Sequence, residues 1–408
     1  MNLDKGKIIT LLLGFYLLLL PWDIFLKDEL LFPISPSFFP LGILFFVFIV
    51  TLFHFNSFKF PHHLSILMLL ICYSTLSLLW STTKEHNVNE LITLISYYVT
   101  VLVIYNLMSS YKISYKFLLW AYIAGTVSVG LFSISYFDVP SRRLTISEES
   151  NPTMYAAFLV WAIVSSSVLY KYETTKSKIL LSISVIIMII LLMMTQGRNS
   201  ILALMFSFVS AYIYLFIKER LGKRSKARKV FFLNRVKNLF LLVIITSTSL
   251  YFLVKLHLFE RLDNIRKMSE VFSGNLNSVT SGRTVIWENY INILDASILV
   301  GNGIGGATFK YAEVYNIGLA PHNTYILLLV ELGVVGLIIW IVFIAEMLKV
   351  ALNNKKEKFA LLSLILIFIF LGFGNDIIYY KYWWQGLLIF LIIYNLSKVD
   401  EKDVNANT

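Results

Sequence analysis

The feature that most constrains this chain is a succession of apolar blocks of about 16 to 25 residues, the length at which a helix crosses a bilayer. Only 14 % of the 408 residues are charged, whereas a water-soluble chain carries roughly a quarter. The sequence therefore predicts an all-α, polytopic membrane bundle of about twelve transmembrane helices. The blocks cover residues 8–26, 38–55, 64–80, 91–108, 117–136, 154–170, 179–196, 199–217, 239–256, 324–349, 359–374 and 383–396.

These blocks leave little room for a second folded domain, and we expect residues 1–408 to form a single transmembrane domain. The first block is expected to be a retained span and not a cleaved signal peptide. It is long, and the sequence PWDIFLKDELL follows it, where a cleavage site would show small residues.

The basic residues orient the bundle. Most of the 35 Lys and Arg residues fall in the two tails and in the connectors after every second block. Short loops rich in Lys and Arg stay in the cytoplasm, so both termini are predicted to lie inside. The formal net charge of +11 then reflects topology and contact with anionic membrane lipids. Nucleic-acid binding is not expected, because the basic run 218–238 connects two spans.

Residues 257–323 form a long external loop between the ninth and tenth predicted spans. Its first part, 259–272, sets apolar residues at helical spacing opposite charged ones, which is typical of a helix on the membrane surface. A second helix is expected with Arg283 in its first turn, where a cation and free backbone N–H groups together suit an anion. The apolar stripe of this second helix contains Ile286, Tyr290, Ile293 and Leu294.

The sequence GNGIGG, residues 301–306, formally satisfies the dinucleotide-binding pattern G-x-G-x-x-G. That pattern requires a strand before it, a helix after it and an acidic residue further on, whereas this segment leads to a membrane span. We therefore expect a tight glycine turn that returns the loop over the membrane.

Two arginines near the outer boundary are candidate anion ligands. Arg198 lies in TQGRNS, between the seventh and eighth predicted spans. Cations are disfavoured in such short outer connectors, so a local anionic partner is expected; the alternative is a snorkelling anchor. Arg143 lies beside Arg142 in SRRLTISEES, and the two arginines could pair either with Glu148 and Glu149 or with a ligand.

His322 and Asn323 stand in APHNTY at the lip of the tenth predicted span. They are candidates for a functional pair that faces the outer compartment, whereas polar residues after a proline are also ordinary helix caps. Glu331 lies about 180° around the same helix from His322. A carboxylate at that depth is costly, so it should face protein or water.

No metal centre or organic cofactor is expected. The single cysteine, Cys72, lies inside the third apolar block and cannot form an intrachain disulfide. No Cys/His cluster has the spacing of metal ligands, and His62 and His63 are interpreted as ordinary residues of a cytoplasmic loop.

Three motifs in a fixed order resemble the O-antigen ligase and polymerase family. They are TQGRNSILAL, then SGRTVIWENY with GNGIGG, then PHNTYILLLVELGVVGL, and the similarity is clearest over residues 195–340. SEESNPTMYAA also resembles the stretch that these proteins often carry before the sixth span. The resemblance implies a glycosyltransferase. We expect it to need no metal, because the outer face offers no Asp-x-Asp or His/Asp ligand cluster beside the arginines. Its donor would be an undecaprenyl-diphosphate-linked oligosaccharide at the outer face of the bacterial cytoplasmic membrane.

The resemblance also implies roles for the residues at matching positions. Arg198 and Arg283 match arginines assigned to the diphosphate, and His322 matches the histidine assigned to the acceptor. Guanidinium groups bind phosphate oxygens in bidentate fashion, and a neutral imidazole is a suitable base for a hydroxyl. Arg143 and Asn323 are further candidates for binding substrate.

The form HNTYILLLVELG is more similar to the polymerases of this family than to its ligases. The favoured function is therefore polymerisation of a surface polysaccharide on a growing acceptor chain, with a chain-length regulator as a candidate partner. Transfer of the glycan to lipid A-core is the alternative. A flippase or other transporter is less favoured. Transporters typically show related halves or interrupted helices with polar residues along a central path, whereas this sequence shows no internal repeat and its candidate polar residues gather on one face.

Overall fold

The computed structural model describes most of the chain. The described residues form helices and turns without any β-strand, which confirms the predicted all-α class. They divide into two compact units, residues 1–211 with 290–408, and residues 212–289. The described residues are 5–28, 35–55, 58–81, 84–136, 143–146, 151–222, 283–294 and 298–405.

Each predicted apolar block within the described residues coincides with one or two helices. Within the described part of the chain, six helices are long and apolar enough to cross a membrane, and three shorter apolar helices accompany them. The block 239–256 and the surface helix predicted over 259–272 lie outside the described residues. In chain order the helices are α1 (Lys5–Leu19), α2 (Asp23–Asp28), α3 (Phe38–Phe55), α4 (His62–Ser77), α5 (Lys84–Ser110), α6 (Tyr115–Tyr136), α7 (Pro152–Tyr172), α8 (Thr175–Met194), α9 (Arg198–Gly222), α10 (Arg283–Asn292), α11 (Ala307–Tyr315), α12 (Thr324–Asn353), α13 (Lys358–Gly372), a 3₁₀ helix (Ile377–Tyr379) and α14 (Lys381–Asn405).

The first apolar block differs from its prediction as one span. It divides into α1 and α2 around Pro21, because proline disfavours helical geometry in the residue before it. The turn places Asp23 in the protein interior, where its carboxylate accepts the backbone N–H of Ser37 at 2.8 Å and pairs with Lys381. A charge pair between α2 and α14 thus replaces the apolar continuation that the sequence suggested.

Helix α7 lies at the centre of the larger unit, with 78 % of its span buried, whereas 28 % of the span of α8 is buried. Trp161 of α7 packs on Phe368 of α13 with ring centroids 4.9 Å apart. Its indole N–H donates to the carbonyl of Tyr382 in α14 at 3.0 Å. These contacts fix the last two helices against the core. By contrast, α8 exposes a row of side chains suited to lipid, which are Ile179, Ile183, Ile186 and Ile190.

Helix α12 is interrupted at Gly333, whose φ is +65°. The break frees backbone groups that a continuous helix would pair internally, and at membrane depth such groups need partners within the protein. The segment 298–306, which contains GNGIGG, supplies them. The four bonds run from Asn302 N–H to Val330 O (2.9 Å), Gly303 N–H to Glu331 O (2.8 Å), Val334 N–H to Ile298 O (2.9 Å) and Val335 N–H to Leu299 O (3.3 Å).

The predicted glycine turn is therefore present, and it is packed into the helix break. Its left-handed φ values are +74° at Gly301, +96° at Gly303 and +71° at Gly305, a region that favours glycine. No dinucleotide fold surrounds it, since the described residues on either side contain no strand. The turn completes the interrupted helix through its backbone.

Candidate functional site

The N-terminus of α12 is built by a local cap. The side-chain oxygen of Asn323 accepts the backbone N–H groups of Tyr325 at 3.0 Å and Ile326 at 3.2 Å. An asparagine at this position satisfies helix donors that have no partner in the first turn. Asn323 itself is buried, so its side chain defines where the helix begins.

His322 stands one residue before this cap, in a left-handed backbone conformation with φ +50°. Such a φ is uncommon outside glycine, and here the carboxylate of Asp376 holds it. That carboxylate accepts the backbone N–H of His322 at 3.0 Å and the backbone N–H of Asn323 at 2.8 Å. The imidazole Nδ1 lies 3.6 Å from the same carboxylate, which is an ion-pair distance if the ring is protonated.

The exposure of the two partners differs in a way that suits acid–base chemistry. The Asp376 side chain is 8 % exposed and the His322 side chain is 44 % exposed. A buried carboxylate beside an imidazole orients the ring and stabilises its protonated form. The exposed part of the imidazole remains accessible to a reactant.

Asp376 was missed by sequence reasoning. It lies in the sequence GFGNDIIYY, in the short connector between α13 and the 3₁₀ helix. The connector is fixed to α12 through Thr324, whose hydroxyl donates to the Asn375 carbonyl at 2.7 Å and accepts the Ile377 N–H at 2.9 Å. The sequence signal that could have found it was an acidic residue in the short connector between the last two apolar blocks, a connector that the Lys and Arg pattern assigns to the exterior.

Arg198 is the first residue of α9 and is exposed. The neighbouring Asn199 donates its amide to the Leu371 carbonyl at 3.1 Å, which places the start of α9 against the connector that carries Asp376. Arg198 and His322 therefore lie at the same end of the larger unit.

Arg143 contacts the turn that precedes Arg198. Its guanidinium donates to the carbonyl of Thr195 at 3.2 Å and to the carbonyl of Gln196 at 2.9 Å. A cation at the last carbonyls of a helix is favourable, and here it ends α8. Arg142, Glu148 and Glu149 lie outside the described residues. Arg143 is thus placed to support the turn that presents Arg198.

Arg283 is the first residue of α10, which agrees with its predicted place in the first turn. It belongs to the compact unit of residues 212–289, and its part in the site stays a prediction. Tyr290, from the predicted apolar stripe, is buried and donates its hydroxyl to the Leu319 carbonyl at 2.5 Å. Burial raises the pKa of Tyr290, so its hydroxyl stays a hydrogen-bond donor.

Glu331 is buried, as expected of a carboxylate at this depth. Its Oε2 accepts the hydroxyl of Tyr379, and its Oε1 accepts the backbone N–H of Ala307 at 3.4 Å. Burial raises the pKa of Tyr379 well above its ordinary value, and the Glu331 charge raises it further. Tyr379 therefore acts as the donor in this pair.

No group of three or more His, Cys, Asp or Glu side chains suited to a metal ion occurs among the described residues. The interpretation of His62 and His63 as loop residues was wrong: both lie in the first turn of α4, and the His63 side chain is buried. Helix α4 begins directly after Pro61, its N-cap residue, so both histidines belong to the helix and not to the preceding loop.

Residues 183–341 match the family model described as O-antigen ligase. The matched range contains Arg198, Arg283 and His322 together with the interrupted part of α12. The match confirms the resemblance stated above and indicates an enzyme of surface polysaccharide biosynthesis, of the glycosyltransferase type. With the apolar helices, it indicates a multi-pass protein of the bacterial inner membrane. No curated protein matches the chain.

Proposed function

We propose that this chain, whose residues 183–341 match the O-antigen ligase model, polymerises a surface polysaccharide. It would transfer undecaprenyl-diphosphate-linked repeat units to a growing chain at the outer face of the cytoplasmic membrane. The observation that carries the proposal is the pair of His322 and Asp376 at the same end of the larger unit as the exposed Arg198. The identity of the donor rests on the family resemblance.

The arginines would act on the leaving group. A diphosphate that departs from an anomeric carbon carries negative charge, and fixed guanidinium groups stabilise that charge as it develops. Arg198 is exposed, so its guanidinium is accessible to phosphate oxygens. Arg283, at a helix N-terminus, is the second proposed ligand because the backbone N–H groups there also favour anions.

His322 would act on the acceptor. Its neutral imidazole takes the proton of the acceptor hydroxyl while that oxygen bonds to the anomeric carbon. The bond from the anomeric carbon to the diphosphate oxygen breaks, and its electron pair leaves with the diphosphate. The Asp376 carboxylate, 3.6 Å from Nδ1, stabilises the imidazolium until the proton passes to water.

Two supporting groups complete the proposed site. Asn323 shapes the helix start and fixes the backbone that carries His322. The side-chain amide nitrogen of Asn375 is buried and lacks a partner among the described residues. We assign it as a donor to a substrate oxygen beside Asp376, because a buried donor without a partner is costly.

The alternatives follow from the same chemistry. A ligase would use the same donor and base but would bind lipid A-core as acceptor; the form of the HNTYILLLVELG motif favours the polymerase. An interrupted helix such as α12 also occurs in transporters. Here the segment 298–306 pairs with the backbone groups of the break through four bonds, and this packing favours the enzyme.

A deletion strain distinguishes the activities. A polymerase deletion leaves surface glycan with a single repeat unit, whereas a ligase deletion leaves long chains on the polyprenyl carrier and none on lipid A. Loss of neither product would contradict both activities. Length distributions that change when a chain-length regulator is removed would identify that partner.

Topology is tested separately. Reporter fusions at Lys226 and at the C-terminal tail should report the cytoplasm, and a tag beside Asn275 should react with an impermeant reagent from outside. A cytoplasmic tag at Asn275 would place the motifs in the wrong compartment for this reaction.

A further inference from the structure

We propose that Glu331 is a positioning residue of the site: its carboxylate joins the glycine segment and Tyr379 to α12, and so holds Asp376 beside His322. The proposal rests on the proposed function only for its catalytic consequence. Neither Glu331 nor GNGIGG has a role in the transfer step itself, and the structure brings these two features together.

The surroundings of Glu331 fit a fastening role. The residue is 2 % exposed, and a buried carboxylate is unfavourable unless hydrogen bonds satisfy it. Both oxygens have partners from other segments: Tyr379 O–H on Oε2, and the Ala307 backbone N–H on Oε1 at 3.4 Å. One side chain of α12 therefore contacts both the 3₁₀ helix and the first residue of α11, which directly follows the segment 298–306.

The glycine segment cannot shift freely on α12, because the two backbones are in direct contact on both sides of Glu331. A Cβ on Gly301 would lie 2.2 Å from the Glu331 carbonyl oxygen, and a Cβ on Gly333 would lie 2.3 Å from the Leu299 carbonyl oxygen. Such approaches exclude any side chain. The position of Glu331 is thus set by main-chain contacts, and its carboxylate transmits that position to Tyr379.

Tyr379 leads directly to the site. It ends the 3₁₀ helix Ile377–Tyr379, and Asp376 is the residue before that helix. At the other end of the same short helix, the Ile377 N–H donates to the Thr324 hydroxyl at 2.9 Å. The 3₁₀ helix is therefore fastened to α12 at two points, Thr324 and Glu331. Loss of the bond between Tyr379 and Glu331 should therefore increase the mobility of the 3₁₀ helix and of Asp376, which precedes it.

The alternative is that Glu331 contributes to stability alone. That alternative predicts that loss of the Tyr379 hydroxyl lowers the melting temperature without a specific effect at Asp376. A matched control exists in Tyr122, a buried tyrosine whose hydroxyl donates to the Gln385 side-chain oxygen at 3.2 Å. Tyr122→Phe removes the same kind of bond elsewhere in the bundle.

The test compares Tyr379→Phe, Glu331→Gln, their double variant and Tyr122→Phe, all as full-length protein in nanodiscs. Hydrogen–deuterium exchange is followed in a peptide covering 319–326, because the His322 and Asn323 amides donate to Asp376. Tyr379→Phe and Glu331→Gln should exchange there about tenfold faster than the parent, and Tyr122→Phe should not. The double variant should match the faster single variant, since both substitutions break one link.

The kinetic readout is separate. For the transferase, kcat of Tyr379→Phe should fall about 10- to 100-fold with little change in the KM for donor, as expected of a misplaced catalytic group. Unchanged exchange at 319–326 in both single variants overturns the proposal, whatever the activity. Equal acceleration in Tyr122→Phe also overturns it, because the effect would then be general. A parent protein without transferase activity refutes the proposed function and leaves the exchange result valid.

Discussion

Asp376 accepts the backbone N–H of His322 at 3.0 Å and lies 3.6 Å from the Nδ1 atom of the same residue. One carboxylate therefore fixes both the backbone conformation and the ring of the candidate base. This relationship connects the stability of the α12 N-terminus to the chemistry of the site, and the two effects are separable by substitution.

Asp376→Ala should destabilise the protein and abolish transfer. It removes the acceptor of two backbone N–H groups, and an unsatisfied buried donor costs about 1–3 kcal/mol. Asp376→Asn keeps the side-chain shape but replaces one of the two accepting oxygens by an NH₂ group, which cannot accept a backbone N–H. It should therefore melt between Asp376→Ala and the parent and transfer slowly, because the charge is lost. Thermal unfolding in detergent and a donor-turnover assay measure the two effects. Parent-like turnover in Asp376→Asn would show that the charge is not needed.

His322→Gln tests the base. It keeps a hydrogen-bonding group but cannot take the proton, and the loss of a positioned general base lowers rates by about 10²–10⁴-fold. Donor binding should be nearly unchanged, because the diphosphate is assigned to arginines. A fluorescent donor analogue and a polymer gel report binding and transfer. If the variant polymerises at the parent rate, His322 has only a structural role before the N-cap of α12, and another residue must act as the general base.

Substitutions at Arg198 and at Arg143 should affect donor binding and stability differently. Arg198→Ala should abolish donor binding without lowering the melting temperature, since the side chain is exposed; Arg198→Lys should restore binding only in part, because a point charge lacks the guanidinium fork. Arg143→Ala should lower stability and activity together, because its guanidinium donates to two carbonyls of the turn before Arg198. Full activity in Arg198→Ala would identify that residue as a membrane anchor.

Gly333→Ala should prevent proper folding. The φ of +65° costs a residue with a side chain about 1–3 kcal/mol, and the added Cβ would meet the Leu299 carbonyl at 2.3 Å. Gly42→Ala in α3 is the matched control, since nothing lies within 4 Å of the Cβ position there. That control should be neutral or gain up to about 1 kcal/mol. Size-exclusion profiles of both variants measure the difference, and a normal profile for Gly333→Ala would refute the interlocked backbone.

Transfer should proceed without a divalent metal, because the arginines are assigned to the charge of the diphosphate. Purified enzyme should keep its rate in EDTA, and added Mg²⁺ or Mn²⁺ should not increase it. A rate that falls in EDTA and returns with either ion would require a metal ligand set that includes residues outside the described ranges.

Several features were readable from the sequence because their causes are local. The length and hydropathy of the apolar blocks predicted the helical bundle. Among the described blocks, the one containing Pro21 divides into two helices and the tenth is interrupted at Gly333. The first turn of α10 at Arg283 and the polar residues at the start of α12 also agree with short-range patterns. Capping and membrane spanning depend on neighbours a few residues apart, so one sequence suffices for them.

The arrangement around His322 depended on contacts between distant parts of the chain. Asp376 lies 53 positions beyond Asn323, whose N–H it accepts, and no local pattern announces that pairing. The break at Gly333 was hidden for the same reason: an isolated glycine in an apolar run is compatible with a continuous helix. The break exists because the segment 298–306 supplies the missing backbone partners. Hydropathy determines that these helices cross a membrane, whereas only their packing decides which polar groups meet, since each such pair requires two segments to be brought together by the whole fold.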